Sequence, residues 1–180
     1  MSDFWVFGYG SLMWRPGFPH REAVAAHLAG LHRALCVYSW VHRGTRENPG
    51  LVLGLDRGGS CKGIAYRVSG EERERVTAYL RERELVTNVY VETWRQIRLV
   101  GKDDRPVLAL TFIADRHHEQ YAGKLSREKL LEHVRGRHGR SGPNSEYEIN
   151  TVRHLRQLAI HDAALEWLAS QLEREAKQPV

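Results

Sequence analysis

Cysteine is scarce: the 180 residues hold two, Cys36 and Cys61. Each sits in an apolar, strand-like run, which fits buried reduced thiols better than a disulfide framework. Long hydrophobic runs are missing as well, and none approaches the roughly 20 residues that a membrane-spanning helix needs. The opening MSDFWVFGYG lacks the basic-then-apolar layout of a signal peptide, so the expectation is a soluble, cytoplasmic protein. There is no H-E-x-x-H and no Cys/His spacing of a zinc site. His117-His118 and HVRGRHGR (133–140) therefore read as surface or loop histidines, and no metal is expected. Neither sign of charge dominates: 27 Lys and Arg against 22 Asp and Glu leave a formal +5, which favours small anionic substrates by steering. Arg135, Arg137 and Arg140 form a basic loop, but acidic residues interleave throughout and no nucleic-acid-binding motif occurs. The loop reads as solvated, with neither nucleic acid nor membrane as a partner.

Hydrophobic residues make up 42% of the chain, enough for a core, and the length suits one domain over residues 1–180. Residues 4–8 read as a buried first strand, 20–30 (HREAVAAHLAG) as a short helix ending at Gly30, and 31–40 as a strand. The stretch 42–50 is a loop. Strands follow at 51–56 and 61–68, split by the hairpin-like Arg57-Gly58-Gly59-Ser60. A helix over about 71–84, capped by Ser69, leads to strands near 90–100 and 106–114. The last third is helical, over about 126–137, 144–157 and 161–176, with Ser126 as a cap and fraying toward Pro179. Strands first and helices later argue for an α+β fold, with a mixed, strongly curved or barrel-like sheet and helices packed outside.

Two stretches carry chemistry. The first is FWVFGYGSLMW (4–14), an apolar strand ending in a turn that is nearly all backbone. Such a turn can aim successive N–H groups of Tyr9, Gly10, Ser11 and Leu12 into one concavity and bind a carboxylate, a phosphate or an oxyanion. The plainer reading is a tight exit from a strand, and spacing alone does not separate the two. Met13 stands where a dinucleotide fingerprint needs glycine, G-K-[S/T] is absent, and Ser11 is not framed as a nucleophile elbow.

The second stretch is VTAYLRERELVTNVY (76–90). At about 100° per residue, Val76, Leu80 and Glu84 share one helix face, whereas Glu82 points to solvent. A carboxylate carried inward at the C-terminal end of a helix has its pKa raised, which suits general acid–base work. On pattern alone, an ion pair with Arg81, Arg83 or another arginine stands ahead of that reading.

Together the stretches resemble the ChaC-type gamma-glutamylcyclotransferase family over about Phe4 to Leu168. The matching pieces occur in family order: VFGYGSLMW (6–14), HRGTRENPGLVLGL (42–55), GIAYRV (63–68), YLREREL (79–85) and SGPNSEYEINTVRHL (141–155). The resemblance implies cleavage of glutathione into 5-oxoproline and cysteinylglycine, with no metal and no organic cofactor. It maps the substrate loop onto Tyr9, Gly10, Ser11 and Leu12, the catalytic glutamate onto Glu84, and a hydroxyl contact at the pocket onto Tyr147. His42 and Arg43 match a family loop without an assigned role. The chain departs from the family near Arg46, at Asn88, where several members have glycine, and at Glu148, where an apolar residue is usual. Two alternatives stand beside this expectation. One is a cyclotransferase for other gamma-glutamyl amines or dipeptides; the other is a non-catalytic module that senses a metabolite, against which Glu84 and the intact glycine loop speak.

Overall fold

The computed structural model describes residues 2–101 and 104–177. The chain divides into two compact units, one built from Met1–Ala34 with Gly54–Glu119, the other from Leu35–Leu53 with the chain from Gln120 onward. Strands β1 (Phe4–Gly8), β2 (Glu22–Ser39), β3 (Gly50–Val68), β4 (Tyr90–Leu99) and β5 (Pro106–Ala114) close into a barrel in the order β1-β3-β2-β4-β5. The barrel is mixed. β1 runs antiparallel to β3, from Phe4↔Val68 to Gly8↔Ile64, and parallel to β5 at Trp5↔Ala109 and Val6↔Leu110. Flanked by strands on both sides, β1 is buried along its whole length, which is why FWVFG is apolar without alternation. The expected curved, barrel-like α+β fold is borne out.

Helix α1 (Arg73–Glu84) follows a 3-10 turn at Gly70–Glu72. Its buried Val76 and Leu80 join Phe4, Val6, Leu12, Phe18, Tyr66, Val68, Leu110 and Phe112 in one core cluster, against which Tyr79 and Leu85 also pack. Each fully buried apolar side chain of this size contributes about 1.5–3 kcal/mol. Leu12 therefore ties the glycine loop to the same core that holds α1.

In the second unit, α2 (Arg127–Val134), the ribbon β6 (His138–Gly139) with β7 (Gly142–Pro143), α3 (Asn144–Gln157) and α4 (Ala163–Ala176) follow in order. Asn144 is fully buried at the start of α3 and bonds Leu51 twice, Nδ2 donating to its carbonyl at 2.8 Å and Oδ1 accepting from its amide at 2.7 Å. The ribbon docks on the 41–48 loop through Arg140 N to Val41 O (2.8 Å), Ser141 N to His42 O (3.0 Å) and Arg137 to Asn48 Oδ1 (2.9 Å). Ser126 caps α2 through its hydroxyl, as expected.

Three local expectations are corrected. Residues 20–30 form no helix, because Glu22–Ser39 is one strand in which Ala26 and His27 pair with Leu99 and Arg98 of β4. Alanine's helix preference is under about 1 kcal/mol per residue, and barrel closure overrides it. Gly30, read as a helix end, has φ +83 within the strand. Residues 50–68 are likewise one strand and not a hairpin; Gly58 (φ +98) and Gly59 (φ +63) deform it while it continues. Ser69 starts the 3-10 turn, but its hydroxyl accepts from Arg21 (3.0 Å) and caps no amide. Pro179 lies outside the described residues. Among those described, no helix is long and apolar enough to cross a membrane.

Candidate active site

The glycine loop leaves β1 at Gly8 and runs into a 3-10 turn at Ser11–Met13. Its carbonyls are held one after another. Tyr9 O accepts from Arg33 Nε (2.6 Å), Gly10 O from Met13 N (2.9 Å), and Ser11 O from Arg15 N (2.8 Å) and Trp14 N (3.3 Å). The Tyr66 hydroxyl donates to Leu12 O (2.9 Å) and Met13 O (2.8 Å). Burial pushes that hydroxyl's pKa up to about 12, so it remains a donor at neutral pH. A Cβ on Gly8 would come within 3.0 Å of Leu12 Cβ, so the first glycine serves the close return of the loop over the strand end.

Glu84 lies at the last position of α1, on the face predicted for it, with 18% of its side chain exposed. Burial raises its carboxyl pKa and the adjacent Arg83 opposes the rise. Glu82, as expected, is exposed. The ion pair considered from sequence is present: Arg83 Nε is 3.4 Å from Glu84 Oε1. The same guanidinium reaches the glycine loop, donating to Ser11 Oγ (2.7 Å) and Arg15 O (2.7 Å), and to Tyr79 OH (3.0 Å). One arginine thus touches both the carboxylate and the serine of the loop. Arg81 is occupied elsewhere, pairing with Glu92.

Tyr9, Gly10, Ser11, Leu12 and Glu84 all belong to the first unit. Tyr147 belongs to the second, on α3, where its hydroxyl accepts from Leu53 N (3.1 Å) and the Arg43 guanidinium lies 5.2 Å above its ring. Arg43 also donates to Ser141 O (2.6 Å), and His42 Nδ1 meets Ser141 Oγ at 2.9 Å, so both hold the ribbon. The departures have local settings. Asn88 has φ +56, a left-handed conformation that asparagine tolerates, and Arg46 stacks 4.3 Å over Trp40. Glu148 is fully buried, and neither carboxylate oxygen has a hydrogen-bond partner among the described residues. Burial, and then Asp162, push its pKa up to about 8. Among the described residues no group of three or more His, Cys, Asp and Glu side chains is arranged to hold a metal ion.

Sequence reasoning missed Arg33 and Tyr66 and treated Arg83 only as a partner for Glu84. A signal for Arg33 existed: it interrupts the buried phase Leu31, Arg33, Leu35, Val37 of an alternating strand and is itself 7% exposed. Tyr66 carries no such mark, because a tyrosine in an apolar strand reads as core.

The fold matches that of a solved gamma-glutamylcyclotransferase specific to glutathione from yeast, with a TM-score of 0.85 over 97% of each chain, at 23% identity. The family model described as ChaC-like protein matches residues 4–175, and the chain belongs to that family. Among its relatives are the glutathione-specific gamma-glutamylcyclotransferase of Escherichia coli K12, 36% identical over 89% of this chain and 69% of the relative, and glutathione-specific gamma-glutamylcyclotransferase 1 of Danio rerio, 32% identical over 86% and 80%.

Proposed function

We propose that the protein is a glutathione-specific gamma-glutamylcyclotransferase, converting glutathione into 5-oxoproline and cysteinylglycine. The observation that carries this reading is the half-buried Glu84 carboxyl beside a backbone-rich loop, the two linked through Arg83. The names of the relatives supply the substrate.

The chemistry follows from these parts. The substrate's α-amine attacks its own γ-carbonyl carbon, forming the ring C–N bond, and the original amide C–N bond breaks. Because the attack is intramolecular, holding the glutamyl part in reactive geometry contributes up to about 7–11 kcal/mol of the barrier. Glu84 takes the proton that the amine loses and returns one to the departing cysteinylglycine nitrogen, a role typically worth about 10²–10⁴-fold. Amides of Gly10, Ser11 and Leu12 hold an anionic group of the substrate or the oxyanion. The reaction so written draws on no metal and no organic cofactor, and its partner is a small molecule, neither nucleic acid nor membrane. In this reading residues 1–180 serve as one domain, working in the cytoplasm.

The test is incubation with glutathione and separation of the products. Equal amounts of 5-oxoproline and cysteinylglycine are expected. Absence of both would end this reading, and preferential cleavage of other gamma-glutamyl dipeptides would replace the substrate.

A further inference from the structure

Arg33 is a buried cation whose nitrogens go to main-chain oxygens: Nε donates to Tyr9 O and one terminal nitrogen to Lys62 O, both at 2.6 Å, with Met13 Sδ at 3.9 Å. A buried charge needs a reason, since desolvating it is expensive. The reason lies in the peptide planes of the loop. In a trans peptide the C=O and N–H point in opposite directions. The amides of Gly10, Ser11 and Leu12 share peptide planes with the carbonyls of Tyr9, Gly10 and Ser11. The Gly10 and Ser11 carbonyls are held within the turn itself. The Tyr9 carbonyl is held from outside the turn, by Arg33, and the Leu12 and Met13 carbonyls at the far end by Tyr66.

We propose that Arg33, assisted by Tyr66, is a positioning residue for catalysis: it turns the Tyr9–Gly10 peptide so that the Gly10 N–H, together with those of Ser11 and Leu12, faces a carboxylate of the substrate. This rests on the reading of the turn as the substrate loop. Without Arg33 the Tyr9 carbonyl loses its charged donor, and a rotated peptide presents a carbonyl oxygen where the anion must bind, replacing attraction by repulsion. Lysine is a poor substitute. Arginine's planar fork spans two carbonyls at once and welds the loop to β3, whereas an ammonium is a point donor on a flexible stem.

The test is a glutathione titration followed by amide NMR in protein carrying Glu84→Gln, so that turnover does not interfere. With Arg33 intact, the Gly10, Ser11 and Leu12 amides are expected to shift and saturate together. Adding Arg33→Lys should weaken glutathione binding about tenfold or more and abolish the Gly10 shift. Tyr66→Phe, which keeps the ring in the core, should weaken binding by a smaller factor with the fold unchanged. In otherwise wild-type protein, Arg33→Lys should raise KM by the same factor while kcat changes less than about threefold. If both variants lower only the melting temperature, leaving KM and affinity intact, Arg33 is merely structural and the proposal falls while the substrate loop stands. If no loop amide responds to glutathione even with Arg33 present, the loop reading itself fails and takes this inference with it.

Discussion

Glu84 illustrates how far one side chain depends on its setting. Helix period alone carries it to the buried face of α1, but what makes it useful is the burial that raises its pKa and the Arg83 charge that limits the rise. Replacing it by Gln keeps size and hydrogen bonding and removes the proton carrier of the proposed mechanism, so kcat for 5-oxoproline formation should fall at least about 10²-fold with glutathione affinity retained; near wild-type turnover would remove Glu84 from the mechanism. As a base it must be ionised, so kcat/KM should decline as pH drops through a pKa above the ordinary carboxylate value. Arg83→Gln deletes a stabilising positive charge and should move that acid limb to higher pH in a pH–rate profile. An unmoved limb would mean that Arg83 serves the loop alone.

At the level of elements, the glycine loop and β2 make a contrast. The loop was marked in the sequence by Gly8 and Gly10 on either side of Tyr9 after an apolar strand, and Leu12 anchors it to the core. Gly10→Val should lower glutathione affinity at least about tenfold in calorimetry by placing a branched side chain between amides and ligand, with the barrel intact; unchanged affinity would count against the amide cradle. β2 was half legible. Its second part alternates in a strand's manner, whereas Glu22–Gly30 is alanine-rich and helical by composition, and becomes a strand because Ala26 and His27 find partners in β4, far along the chain. The long β3 misled for a related reason: paired glycines at 58 and 59 signal reversal locally, and the surrounding sheet carries the strand through.

For the molecule as a whole, the buried Glu148 couples stability to pH. Its folded-state pKa, about 8, lies above the ordinary 4.5, so between these values the folded chain binds a proton that the unfolded chain does not. Its contribution is fully present below about pH 4.5 and is lost as pH rises through about 8. Glu148→Gln should flatten this dependence, adding stability of the order of a few kcal/mol above about pH 8, measured by urea unfolding at about pH 5 and about pH 9. Parallel pH dependence in both proteins would show that Glu148 finds a partner when ionised.

By itself the sequence determined what short-range geometry controls: the apolar first strand, the bare turn behind it, the face of α1 that bears Glu84, the span of α3, and the cap at Ser126. Tertiary structure alone decided the strand identity of residues 22–30, the continuity of β3, the partners of Arg33 and Arg83, and the isolation of Glu148. Local preferences differ by less than about 1 kcal/mol per residue, whereas strand pairing and burial, summed over a closed barrel, are many times larger and join residues whose separation along the chain leaves no local trace.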